Sequence, residues 1–209
     1  MKSRIYPIDT LDEAQLRAVA AQIDAGAVAV YPTDTVYGLG THAFNEAAIQ
    51  RIYQIKARPA GAALQLLIGT VAQAQSIVQW SDAAEKLARR FWPGPLTLIL
   101  PPNEKGRPLR RGFEGLGLRV PAHPALVRLL SLLKEPLAST SANAHGCPVI
   151  TEEEELVAFF DGKADIILTG GKLSATASSV LDLTHGPKLL REAALTRAAL
   201  EEALAFSIK

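Results

Sequence analysis

The chain has one cysteine, one methionine and few aromatic residues, 6% in all. Cys147 has no second cysteine to pair with, so no intramolecular disulfide holds this protein together. An excess of charge of one sign is also lacking, with 22 Lys and Arg against 21 Asp and Glu and a formal net charge of +1. That excludes a generally basic protein held to nucleic acid by its overall field, and any RNA contact has to come from a local patch. No run approaches the roughly 20 apolar residues that span a bilayer, because charged residues or Gln interrupt every hydrophobic stretch. The beginning of the chain, with Asp9, Asp12 and Glu13 ahead of any long apolar run, does not read as a signal peptide. No membrane contact and a cytoplasmic location are expected. What the chain has in quantity is hydrophobic side chains, 48% of 209 residues, enough for one compact core. A single domain over residues 1–209 is expected.

Thr10 with Glu13 spells a capping box, and Leu16, Val19, Ala20 and Ile23 follow at helical spacing until Gly26. Ala27 to Tyr31 is a short apolar run ended by Pro32, as in a buried strand feeding a loop. Asn45 caps a second helix with Ile49, Ile52 and Tyr53 on one face. Strands are predicted at Ala63 to Ile68, Leu96 to Leu100, Leu116 to Val120, Pro136 to Thr140, Asp165 to Leu168, Ser179 to Leu183 and Leu189 to Arg191. Helices are predicted at Ser81 to Trp92, Pro124 to Leu133, Thr151 to Phe160 and Arg197 to Leu204. Strands and helices interleave irregularly, which favours an α/β domain with a mixed sheet over a doubly wound one. Pro101 to Gly117 carries neither period and reads as a long functional or mobile loop.

Three segments carry chemistry. Pro32-Thr33-Asp34-Thr35-Val36-Tyr37-Gly38-Leu39-Gly40 follows an apolar strand and offers hydroxyls, a carboxylate and glycines that let backbone amides approach a small polar ligand. It is not a phosphate loop or a dinucleotide fingerprint, and a strand-to-helix turn is the bland alternative. Lys56-Ala57-Arg58-Pro59 closes the Asn45 helix, where two cations suit a polyphosphate or merely complement the helix dipole. Ser139-Thr140-Ser141-Ala142-Asn143 is a dense array of donors and acceptors at a strand end, although such residues are also ordinary in turns. Arg119 in Arg119-Val120-Pro121 ends another strand, as a carboxylate clamp or a surface residue. The four histidines, His42, His123, His145 and His185, and Cys147 form no triad or metal spacing and read as structural or surface residues.

In this order PTDTVYGLG, KARP, FWPGPLTLIL, RVP, STSAN, SSVLDLT and LLRE resemble the YrdC-like threonylcarbamoyl-adenylate synthase family, from about Val28 to Arg191. The resemblance implies an open, highly twisted mixed α/β sheet with helices around a large concave cavity. It also implies an ATP-dependent nucleotidyltransferase that makes threonylcarbamoyl-AMP from L-threonine, bicarbonate and ATP, with Mg2+, for tRNA modification by a separate threonylcarbamoyl transferase. By the same resemblance Thr33, Tyr37, Arg119, Ser139 and Ser178 would meet threonine. Lys56, Arg58, Ser141, Asn143 and Arg191 would meet ATP, with Lys56 and Arg58 catalytic.

Two places depart from the family pattern. Ala62 and Ala63 stand where many relatives have a Lys, Asn or His followed by Pro, and Leu67 stands where some have a histidine near the threonine. Lost contacts to substrate are expected there, with Leu67→His tightening threonine binding. Three other functions stay open on the sequence: an RNA-binding module of the same fold, a carbamoyl-transfer domain and a nucleotide-hydrolysing paralogue. For RNA, the dense basic run is Lys105, Arg107, Arg110 and Arg111, otherwise read as a solvated loop.

Overall fold

The structure, a computed structural model, describes residues 2–174 and 176–208. In chain order the strands are β1 (Arg4–Pro7), β2 (Ala29–Tyr31), β3 (Gly38–His42), β4 (Gln65–Leu67) and β5 (Leu96–Leu100). Then come β6 (Leu116–Arg119), β7 (Leu137–Ser141), β8 (Ile166–Thr169), β9 (Ser179–Asp182) and β10 (Lys188–Arg191). The α-helices are α1 (Glu13–Asp24), α2 (Glu46–Lys56), α3 (Val71–Gln75), α4 (Asp82–Phe91), α5 (Pro124–Leu132), α6 (Glu153–Phe160) and α7 (Arg197–Leu204). All ten strands join one sheet in the order β1-β8-β2-β3-β7-β4-β6-β5-β9-β10. β1 and β2 both lie parallel to β8, and β4–β6 and β5–β9 are parallel. The remaining pairs, β2–β3, β3–β7, β7–β4, β6–β5 and β9–β10, are antiparallel. This is the mixed α/β sheet that the irregular element order implied.

Side chains alternate across a strand, so each strand serves two faces. Around β2, Val28 and Val30 pack with Leu39, Ile52, Phe160 and Ile167, while Ala29 and Tyr31 pack with Leu16, Leu126, Leu129 and Ile166. Helices α2 and α6 therefore cover one face of this half of the sheet, and α1 and α5 the other. In the other half, Leu96, Leu98, Leu118 and Leu181 pack under Leu87 and Ala88 of α4 and Leu200 and Leu204 of α7. The alternate residues Thr97, Ile99, Gly117 and Val180 line a cavity instead. In this half helices α4 and α7 cover one face of the sheet, and the opposite face lines that cavity.

Several elements differ from what the sequence suggests. Asp12, not Thr10, caps α1: its side chain accepts from Gln15 N at 2.8 Å while Gln15 Oε1 accepts from Asp12 N at 2.9 Å. Thr10 closes a preceding 3-10 turn and donates to the Pro7 carbonyl at 2.9 Å. Both spacings spell a capping box, and the apolar phase from Leu16 onward fits either. Gly38–His42 is strand β3 rather than loop, bonded on both sides by β2 and β7. Short β1 and α3 have too few residues to show a period. The 101–117 segment is pinned, not free: Asn103 N donates to the Ile77 carbonyl at 3.1 Å and its side-chain amide to Ser76 at 3.0 Å. A 3-10 turn, Arg107–Arg110, follows, and β6 begins at Leu116.

Candidate active site

The ends of β2, β6 and β7, the C-terminus of α2 and the edge strand β10 surround a cavity of about 440 Å3. Thr33, Tyr37, Lys56, Arg58, Arg119, Ser139, Ser141, Asn143, Ser178 and Arg191 all line it, so residues up to 158 positions apart meet at one place. Thr35 and Thr140, from the two hydroxyl-rich runs, line it as well, together with His145 and with Gln65, to which the sequence assigns no role.

At one end the loop after β2 is self-sufficient. The Thr33 hydroxyl donates to the Val36 carbonyl at 2.7 Å and accepts from Thr35 N at 3.1 Å and Val36 N at 3.2 Å. It also lies 2.9 Å from the Thr35 hydroxyl. Thr33 thus faces the cavity while its hydroxyl serves its own turn. Beside it Arg119, only 2% exposed, is held on every edge: Nε donates to Gly94 O at 3.0 Å, Nη1 to Thr35 Oγ1 at 2.9 Å, and Nη2 to Asp34. Burial lowers the Arg119 pKa, and the Asp34 carboxylate opposes that shift. Arg119 keeps one unused N–H on each terminal nitrogen. Tyr37 is a staple: its hydroxyl donates to Gly171 O at 2.5 Å and accepts from Gly170 N at 3.1 Å, and burial raises its pKa. The loop after β8, which leads to Ser178, is thereby tied to the cavity wall.

At the other end Lys56 is the last residue of α2, and Ala57 turns the chain out of the helix with φ 50°. The lysine is 3% exposed, and its ammonium donates to Ser141 O at 2.5 Å, Asn143 O at 2.7 Å and Asn143 Oδ1 at 2.9 Å. All three of its donors are therefore occupied by the turn after β7. Burial first, then the neighbouring Arg58, lowers its pKa to about 8. Asn143 is fixed further by Ser141 Oγ at 2.7 Å and by its own amide donating to Cys147 O at 2.5 Å. Arg58 makes one bond, from Nη1 to Thr140 Oγ1 at 3.2 Å. Arg191 follows an irregularity in the β9–β10 register that shifts its pairing to Val180, the kind of kink that re-aims a side chain. It reaches Ser178 O at 2.8 Å and Ser178 Oγ at 3.2 Å, and Thr97 Oγ1 lies 3.0 Å from that same hydroxyl. Among the described residues no carboxylate pairs with Lys56, Arg58 or Arg191, and none lines the cavity.

Two expectations are corrected. Leu67 does not line the cavity; it is on the same face of β4 as Gln65, two residues further along, where that face is covered and Leu67 is wholly buried among Leu126, Leu129, Leu130 and Leu137. Ala63 does line the cavity, with Gln65 supplying polarity two residues on. The basic run is also smaller than it reads: Lys105 pairs with Glu135 at 2.9 Å, and Arg111 donates to Ala43 O at 3.0 Å and Glu46 at 3.2 Å. Arg107 and Arg110 remain exposed; none of the four lines this cavity, while Arg110 and Arg111 line the second cavity, over Thr97 and Gly117. Of the histidines, His145 is exposed, as a surface residue, and lies at the cavity wall. The described residues contain no group of three or more His, Cys, Asp or Glu placed to hold a metal, and no helix long and apolar enough to cross a membrane.

The model of the Sua5/YciO/YrdC family, described in the words Telomere recombination, matches residues 21–193. A threonylcarbamoyl-AMP synthase of Pyrococcus abyssi is 38% identical over 185 residues, 87% of this chain and 54% of that protein. A Bacillus subtilis protein of the same name is 34% identical over 211 residues, covering 96% of this chain and 61% of its own length. The chain thus spans between half and two thirds of these relatives. The structure of P. abyssi Sua5 complexed with L-threonine superposes with a TM-score of 0.89 at 35% identity, covering 100% of this chain and 62% of that one.

Proposed function

The chain belongs to the Sua5/YciO/YrdC family, and from that premise we propose that it is an L-threonylcarbamoyladenylate synthase, joining L-threonine, bicarbonate and ATP into threonylcarbamoyl-AMP with release of pyrophosphate. The observation that carries this reading is a cavity lined by four cations and no carboxylate in a protein whose net charge is +1. Concentrating positive charge there, with three of the cations unpaired among the described residues, is unfavourable unless a polyanion is to be bound.

The threonine amine adds to the carbon of CO2 supplied by bicarbonate, losing a proton and giving N-carboxythreonine. An oxygen of the new carboxylate then forms a bond to the α-phosphorus of ATP, and the bond to the β-phosphate oxygen breaks, so pyrophosphate leaves with its electron pair. This step brings anion to anion. Arg58 and Arg191 retain N–H groups for the phosphates, and Lys56 acts by its charge and by holding the Ser141–Asn143 turn in place. Arg119 offers its two unused N–H groups to the threonine carboxylate, Ser139, Ser178 and Tyr37 line that end, and Arg191, bonded to Ser178 and near enough to Arg119 to lower its pKa, stands between the two ends. The cavity wall offers Mg2+ no carboxylate, so magnesium would enter only as a counter-ion of the triphosphate. The product is an activated carbamate for transfer to tRNA by a separate threonylcarbamoyl transferase, with Arg107 and Arg110 as the contacts available to RNA phosphates.

The test is pyrophosphate release from ATP with threonine and bicarbonate each left out in turn. Release should require both. Equal release from ATP alone would replace this reading with a nucleotide hydrolase.

A further inference from the structure

Ser139 is one of the cavity's buried hydroxyls, and behind it stands a residue that does not touch the cavity. Tyr31, the last residue of β2, is wholly buried, and its phenol donates to Ser139 Oγ at 2.6 Å. β2 and β7 are not neighbours; β3 lies between them. The bond therefore has to pass over β3, and the two β3 residues in its way are glycines. Gly38 pairs with Tyr31, and Gly40 pairs with Ser139. A Cβ on Gly38 would sit 2.4 Å from the Tyr31 ring, and one on Gly40 would sit 2.5 Å from its hydroxyl. Neither glycine is among those with positive φ. Backbone freedom does not explain them, and their job is to leave a slot for the Tyr31 ring.

The hydrogen inventory gives the consequence. Among the described residues, Ser139 Oγ is the one partner of the Tyr31 hydroxyl, and Tyr31 is the one partner of the Ser139 side chain. The phenol's single hydrogen therefore goes to the serine oxygen, and the serine's own hydrogen is left for the cavity that Ser139 lines. Burial holds the phenol well above its usual pKa, so it remains a donor at any working pH.

We propose that Tyr31 is a positioning residue that fixes Ser139 as a hydrogen-bond donor, aimed at an acceptor oxygen of the amino-acid ligand. This rests on the reading that L-threonine binds in this cavity. Without Tyr31 the serine hydroxyl is free to rotate and to offer a lone pair where a donor is needed. The slot formed by Gly38 and Gly40 makes the arrangement a property of three strands, not of one turn.

The test is a double-substitution cycle in the full chain, with L-threonine affinity measured by calorimetry. Tyr31→Phe keeps the ring and removes the hydroxyl, and a net hydrogen bond of about 1 kcal/mol corresponds to roughly a five- to tenfold weaker affinity. In the Ser139→Ala background the same change should alter affinity less than about twofold, because the group it orients is gone. In pyrophosphate release the loss should appear in the threonine KM, with kcat preserved. Equal weakening in both backgrounds would show that Tyr31 acts through the fold and would overturn the proposal, as would unchanged affinity in Tyr31→Phe alone. If the unsubstituted chain bound no threonine, the functional reading would fall and this inference with it, an outcome distinct from the other two.

Discussion

The two ends of the cavity use the same side chain under opposite constraints. Arg119 is buried, balanced by Asp34 and bonded on each edge, whereas Arg58 is half-buried, has a single hydroxyl contact and faces no carboxylate. At the balanced end Asp34 neutralises Arg119 from outside the cavity wall, so one fixed and oriented cation faces the cavity, as a ligand with a single carboxylate needs. Unbalanced cations on Arg58, Arg191 and Lys56 match a ligand that brings several negative charges and few positions to defend. The lesson is that cation count says little about what a cavity binds until each cation's partner is known.

Breaking the balanced end should have the largest effect. Arg119→Ala leaves the Asp34 carboxylate without its counter-charge and should destabilise the fold by about 3–5 kcal/mol in urea unfolding. Adding Asp34→Asn should recover part of that loss. Next comes Leu67→His, which puts an imidazole in the core and should cost about 1–3 kcal/mol in the same assay without tightening threonine binding.

The open end is sharpened by pH. Lys56 titrates at about 8 in the folded chain against its usual 10.5. Its charged form therefore opposes folding below about pH 8, and that opposition fades as pH rises from 8 towards 10.5. Phosphate anions should pull its pKa back up. ATP binding near pH 8 should take up a fraction of a proton, seen as a dependence of calorimetric heat on the buffer's ionisation enthalpy, and the uptake should vanish below pH 7. The smallest effect is expected away from the cavity. Arg107→Ala with Arg110→Ala should lessen the salt slope of tRNA binding by about one to two, while Lys105→Ala and Arg111→Ala, already paired within the protein, should change it little.

Much of the site was legible because ordered motifs match a family pattern; by chemistry alone PTDT after Tyr31 and STSAN at the end of β7 stand out only as polar runs. The ten residues that the resemblance implies, four of them from those two runs, line one cavity. What could not be read was pairing. Nothing in the string shows that Arg119 is balanced by Asp34, or that Lys56 gives all its donors to Ser141 and Asn143, because both contacts are long-range. Gln65 carried a signal that was available, a polar side chain inside an otherwise apolar strand. The glycines of β3 misled for a physical reason: they make room for the ring of Tyr31 on the adjacent strand, and sequence alone cannot separate that from room for a ligand. Leu67 misled because it shares its face of the sheet with Gln65 and Arg119, and nothing in the string shows that α5 covers that face one side chain beyond Gln65.

The most direct test of a cavity with two separate anion sites is steady-state pyrophosphate release by Arg58→Ala and Arg119→Lys, with ATP and threonine varied in turn. Arg58→Ala should lower kcat by about a hundredfold or more, since charge on the phosphates grows as the leaving bond breaks, with the threonine requirement little changed. Arg119→Lys should raise the threonine KM by about tenfold or more and leave kcat nearly intact, because an ammonium cannot reproduce the guanidinium fork. If both substitutions gave the same defect, the division of the cavity into a balanced amino-acid end and an unbalanced phosphate end would be contradicted.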